Sequence, residues 1–162
     1  MITLRNILVA TDFSEPAEAA TDYGQELART YGATLHVMHV IEDILAAYAS
    51  DVSSELPAIQ ESIAAAAARH VDSLAVPGHE TFRKVIVRSA SVSSAITQYA
   101  KANAIDLIIV GTHGRGAVSR FLMGSVAERV VRTAPCPVLT VHAHERRFGF
   151  ADDATTAART AL

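Results

Sequence analysis

Short apolar runs rich in β-branched residues alternate along this chain with longer segments that are apolar every three or four residues. Ile7-Leu8-Val9-Ala10 reads as a buried first strand, closed by Thr11-Asp12. Ser14 is placed to cap the helix that follows. Glu15 and Glu18 suit the positive end of that helix, and Pro16 falls in its first turn. Ala17, Ala20, Tyr23, Gly24, Leu27 and Ala28 form its apolar face, and Tyr31-Gly32 ends it. Thr34 to Ile41 predicts a second strand, and residues 42–53 a connection. Leu56, Ile59, Ile63, Ala67, Val71 and Leu74 follow one helical face until Pro77-Gly78 stops the helix. Lys84 to Arg88 is the third strand. Ser91 is a cap for a helix with Val92, Ala95, Ile96 and Tyr99 on one face and Asn103 near its end. Asp106-Leu107-Ile108-Ile109-Val110 is the fourth strand, Val126 to Val131 the core of a fourth helix, and Cys136 to His142 the fifth strand.

This βαβαβαβαβ alternation predicts an α/β fold: one doubly wound five-stranded parallel sheet with helices on both faces. Ligands of such sheets sit at the carboxyl ends of strands, where the strand order reverses. Two polar signals fall at strand ends. One is Asp12, after the first strand. The other is Gly111-Thr112-His113-Gly114-Arg115-Gly116, followed by Gly124-Ser125, after the fourth. Glycines let the backbone approach a ligand, and a helix that opens at Ser125 offers free N–H groups to an anion. Spacing alone leaves two readings open, a phosphate site and an ordinary turn. The loop is not a GxxxxGK[ST] phosphate loop, and no GxGxxG follows the first strand. The HxGH-type signature of adenylyltransferases is missing too, since Ser14-Glu15-Pro16-Ala17 stands in its place.

Other chemistry is sparse. His36 and His39 are three apart on a strand and point to opposite faces, so they do not form a simple metal pair. His113 lies within the glycine-rich loop, where it can meet a phosphate or hydrogen-bond the loop to itself. His142 and His144 fall where the last strand ends. CxxC, HExxH and GxSxG are all absent, and Asp12 is the one carboxylate placed in the crevice, so no catalytic residue is assigned.

The 162 residues predict one domain over 1–142 and a polar, alanine-rich tail over 143–162, loosely ordered or a dimer arm. A net charge of -3 with both signs interspersed argues against a nucleic-acid binder. No apolar run reaches the ~18–20 residues that span a bilayer. Cys136 has no partner for an internal disulfide and reads as a small buried hydrophobe. With no signal peptide evident, a cytoplasmic protein is expected.

Gly111-x2-Gly114-x9-Gly124-Ser125, placed after Asp-Leu-Ile-Ile-Val, resembles the ATP-binding branch of the universal stress protein family. So do Ile7 to Ser14, Leu35 to Val40 and Ala134 to Val141, and the likeness covers about residues 3–142. It implies strand order 3-2-1-4-5. It also implies an ATP, ADP or AMP site in which Ala10, Thr11, Asp12 and Val40 line the adenine and ribose side and Val110 and Gly111 continue that wall. Gly114, Arg115, Gly124, Ser125 and Val126 would hold ribose and phosphates, with His113 in the same loop. Mg2+ would ride on the phosphates, with Asp12 as its possible protein contact. Many relatives carry glycine where Ala90 stands, and a methyl group there would narrow one side of the pocket. The family further implies a homodimer through the fifth strand, Val138 to Val141, whose apolar edge needs a cover. Three functions stay in view: a nucleotide-dependent stress-response module, a slow magnesium-dependent ATPase or phosphotransfer enzyme, and a chaperone-like scaffold that needs no nucleotide.

Overall fold

A computed structural model describes residues 2–43, 56–74, 81–112 and 123–142. Most of the expected 42–53 connection, the loop residues His113, Gly114 and Arg115, and the 143–162 tail lie outside the described residues. Five strands and four helices alternate: β1 (Asn6–Ala10), α1 (Glu15–Tyr31), β2 (Thr34–Glu42), α2 (Leu56–Ser73), β3 (Phe82–Ser89), α3 (Val92–Ala102), β4 (Leu107–Gly111), α4 (Ser125–Thr133) and β5 (Val138–Val141). The sheet is parallel throughout, in the order β3-β2-β1-β4-β5. The chain first winds outward from β1 to β3. It then crosses back to β4, so strand order reverses between β1 and β4.

Each face of the sheet carries one core. Ile7, Val9, Leu35, Val37 and Ile109 pack with Ala20 and Ala28 of α1 and Val71 of α2. Leu8, Met38, Ile108 and Val110 pack with Ile96 and Ala100 of α3 and Ala127 and Val130 of α4. The split follows the two-residue period of a strand.

The local signals act as expected at several ends. Gly32 takes the left-handed conformation, φ 65°, that closes α1. Ser91 caps α3 by accepting from the Ser94 N–H, and the Asn103 side chain donates to the Tyr99 carbonyl at its other end. Other boundaries move. Asp106 stands before β4 rather than in it. Its carboxylate accepts from the Arg5 and Asn6 N–H groups at 2.7 and 2.9 Å, tying the start of β1 to the start of β4. β5 begins at Val138 because Pro135 and Pro137 lack the N–H that a ladder needs. Ser14 precedes α1 without giving it a side-chain cap. Ile63 was expected on the buried face of α2 but is 48% exposed, while Ala67 and Val71 below it are buried. α2 lies over the β2–β3 edge of the sheet.

α1 crosses the sheet at Gly24. A methyl group at that position would overlap Val9 Cγ2 and lie 3.3 Å from Leu35 Cδ1, both on fully packed side chains. His36 and His39 do face opposite sides. His36 is buried under α3, where its Nδ1 and the Tyr99 hydroxyl share a 2.8 Å hydrogen bond. Its Nε2 has no partner among the described residues. Burial, then the Arg83 guanidinium, holds the imidazole below its usual pKa of 6.5.

Two outcomes follow for stability. Gly24→Ala should lower it by about 1–3 kcal/mol in urea unfolding, because overpacking outweighs the ~1 kcal/mol gained in helix propensity. A stabilised variant would show that the helix can lift off the sheet freely. For His36, the unfolded chain binds a proton near pH 6.5 while the folded chain resists it, so stability should fall as the pH drops through the window below 6.5. His36→Gln should flatten that part of the profile, and parallel profiles would count against this cause.

Candidate functional site

A cavity of about 520 Å³ opens where the strand order reverses, at the carboxyl ends of β1, β2 and β4. Its volume lies within the ~300–1,000 Å³ usual for small-molecule sites. Ala10, Thr11 and Asp12 line it from β1 and the turn after it, and Val40 from β2. Val110 and Gly111 line it from the end of β4. Gly124, Ser125 and Val126 line it from the start of α4. The structure thus brings together nine of the positions singled out in the sequence. The other three, His113, Gly114 and Arg115, fall outside the described residues. Ala90 is exposed and does not line the cavity, so its methyl group does not narrow this wall.

The turn after β1 is fixed by its own side chains. The Asp12 carboxylate Oδ1 accepts from both the backbone N–H and the hydroxyl of Ser14. This is why the Ser14 hydroxyl is not spent on capping α1. Thr11 Oγ1 accepts from the Phe13 N–H at 3.0 Å, and the Thr11 carbonyl accepts from His39 Nδ1 at 2.8 Å. Phe13 holds a left-handed backbone, φ 62°, which is unusual for a residue with a bulky side chain. Its ring stacks on His39 at 4.5 Å between centroids and lies 4.6 Å from the ring of His70 on α2. Those contacts hold the turn from behind while Thr11 and Asp12 face the cavity.

The glycine-rich segment is anchored at both ends. The Thr112 N–H donates to the Val141 carbonyl at 2.9 Å, and its hydroxyl bonds His142 Nδ1 at 2.8 Å. The Gly124 N–H donates to the Thr112 carbonyl, so the two ends of the 113–122 segment meet beside β5. His142, read from sequence as a strand-end residue, is part of this anchor. α4 starts without a side-chain cap, since Gly124 has none to give. The first N–H groups of a helix have no acceptor within it, and here Ser125, Val126 and Ala127 bring them to the cavity. Together with the helix dipole they favour an anion.

Residues 3–142 match the model of the universal stress protein family. The chain belongs to that family. Universal stress protein A homolog 1 of Coxiella burnetii is 31% identical over 138 residues, which cover 85% of this chain and 95% of that protein. The solved universal stress protein UspA of Lactobacillus plantarum is 28% identical, with a TM-score of 0.71 over 87% of this chain and 99% of that chain. Two further solved members share the fold. One, in complex with cAMP, is 21% identical with a TM-score of 0.60 over 88% of this chain and 99% of that one. The other, from Archaeoglobus fulgidus in complex with dAMP, is 20% identical with a TM-score of 0.55 over 87% of this chain and 99% of that one.

In this universal stress protein the cavity also takes residues that motif reading missed. Met38 and Glu42 flank Val40 on the same face of β2, and the two-residue period alone would have found them. Val92 and Ile96 come from α3, where their spacing had placed them on one helical face. Ala17, Thr112 and Ala127 complete the wall. Gly111 acquires a second role. A methyl group there would sit 2.8 Å from the Pro16 carbonyl carbon and 2.9 Å from the Ala17 nitrogen. The missing side chain makes room for the first turn of α1, not only for a ligand. Among the described residues no group of three or more His, Cys, Asp or Glu could hold a metal ion, and no helix is long and apolar enough to cross a membrane.

Because the atoms against Gly111 are backbone, they cannot rotate away. Gly111→Ala should therefore cost about 1–3 kcal/mol in urea unfolding. An unchanged unfolding midpoint would mean that α1 can retreat from β4 without loss.

Proposed function

We propose that this chain is an adenine-nucleotide-binding stress-response module, in which the bound nucleotide biases conformation or assembly rather than being turned over. The observation that carries the reading is the convergence, in one cavity, of an uncapped helix N-terminus and an apolar slot. Ser125, Val126 and Ala127 supply N–H groups for phosphate, while Met38, Val40, Val92 and Ile96 supply flat apolar walls for a base. The cAMP and dAMP complexes of two family members support an adenine ligand. ATP is the form proposed here, because the Gly111 to Ser125 segment resembles the ATP-binding branch of the family. Mg2+ would enter on its phosphates, near Asp12. The described lining includes two carboxylates, Asp12 and Glu42, and neither a nucleophile–base pair nor a lysine or arginine. The homodimer through Val138 to Val141 belongs to the same proposal, since β5 is an edge strand of the sheet.

Isothermal titration of the full chain with ATP, ADP and AMP tests the reading. Binding of at least one is expected, weakened about tenfold or more by Gly124→Val, which crowds the start of α4. Absence of heat with all three at millimolar ligand would overturn it. Asp12→Asn should also loosen binding, because the carboxylate organises the turn that faces the ligand.

A further inference from the structure

Two walls of the cavity, β2 and α3, are joined deeper in the core by a polar bond. His36 of β2 is 1% exposed, and its Nδ1 shares a 2.8 Å hydrogen bond with the Tyr99 hydroxyl of α3. The two rings also meet edge to face, with 5.8 Å between centroids. Met38, two residues further along the same strand face, lines the cavity. Ile96 and Val92 line it from α3, and they lie about one and two turns before Tyr99 on the same helical face. The His36–Tyr99 bond is thus set in the same β2–α3 contact that gives the cavity its apolar slot.

That contact suits a neutral imidazole. Along the sheet His36 is flanked by Leu8 of β1 and Arg83 of β3, and Tyr99 faces it from α3. Of these three only Arg83 carries a charge, and a cation repels an imidazolium. The second ring nitrogen, Nε2, is buried and has no partner among the described residues. In the imidazolium both nitrogens are N–H donors, and Nε2 then brings part of a full charge to an apolar site. Burial first and Arg83 second hold the ring below its usual pKa of 6.5, and burial raises the Tyr99 hydroxyl above its usual 10.0. His36 therefore takes a proton more readily once α3 has moved away and water reaches Nε2. By linkage, acid favours that state.

We infer that the His36–Tyr99 pair positions the α3 wall of the cavity, and that in acid a proton on His36 releases this wall from β2. The device acts on the cavity itself, whichever ligand fills it.

Amide proton–nitrogen NMR spectra of the full chain, recorded from about pH 7.5 down to about pH 5, provide the test. The amides of Met38, Val92 and Ile96 should shift together with one midpoint below 6.5, while those of Ala20 and Ala28, in the core on the other face of the sheet, do not follow it. His36→Gln cannot take the proton and should abolish the common shift. Tyr99→Phe keeps the ring and removes the hydroxyl, so the Val92 and Ile96 amides should already lie displaced toward their acid positions at about pH 7.5. Should His36→Gln fail to fold, the unmodified chain and Tyr99→Phe decide. Amides of α3 that stay in place through the titration would overturn the release, as would a common shift that survives His36→Gln. Unmoved Val92 and Ile96 amides in Tyr99→Phe would overturn the positioning role. A transition that takes in Ala20 and Ala28 at the same midpoint would mean unfolding of the whole domain, and it too would overturn a local release.

Discussion

The site depends on how closely α1 approaches the end of β4. Backbone atoms of Pro16 and Ala17 occupy the space where Gly111 would carry a side chain. That contact brings the β1–α1 turn against the last residue of β4, across the point where strand order reverses. The next residue, Thr112, continues the arrangement outward. It binds the ends of β5 through Val141 and His142 and receives the N–H of Gly124. One glycine and one threonine thus fix where α4 begins, and with it the direction in which its free N–H groups point.

The opposing wall is held with comparable rigidity but by other means. Phe13 sits in a left-handed conformation, which for a bulky residue costs of order 1–3 kcal/mol. Stacking on His39 and the bond from His39 to the Thr11 carbonyl offset that cost. Thr11 and Asp12 therefore face the cavity on a prearranged turn. The remaining surface is apolar and comes from β2 and α3. The cavity is asymmetric as a result, with negative groups at the β1–β2 rim, dipole and N–H groups at α4, and flat apolar surface between them.

Much of this was legible in the residues. Periodicity placed all five strands and four helices, and the glycine after α1 and the serine before α3 marked helix ends as local chemistry requires. Asp12 and the Gly111 to Ser125 segment stood out as polar punctuation at strand ends. The errors came from long-range competition. Ser14 has the right chemistry for a cap, but the Asp12 carboxylate lies closer to its hydroxyl and takes it. Asp106 continues an apolar strand on paper, yet it binds N–H groups one hundred residues away in sequence. Val92 and Ile96 share one face of α3 as their spacing requires, and they pack in the core and line the cavity at once, which spacing does not reveal.

The chain by itself determined its elements, their parallel alignment and the two strand ends at which a ligand could sit. Hydrophobic period, turn residues and the handedness of crossovers are local or general rules, and the sequence carries them openly. Only the tertiary structure decided that Met38, Glu42, Val92 and Ile96 share a cavity with Asp12 and Ser125. It also decided that Gly111 is glycine partly for the sake of α1. Both depend on distances between elements far apart in the chain, which are set by how side chains fill the space between helix and sheet rather than by the order of the residues.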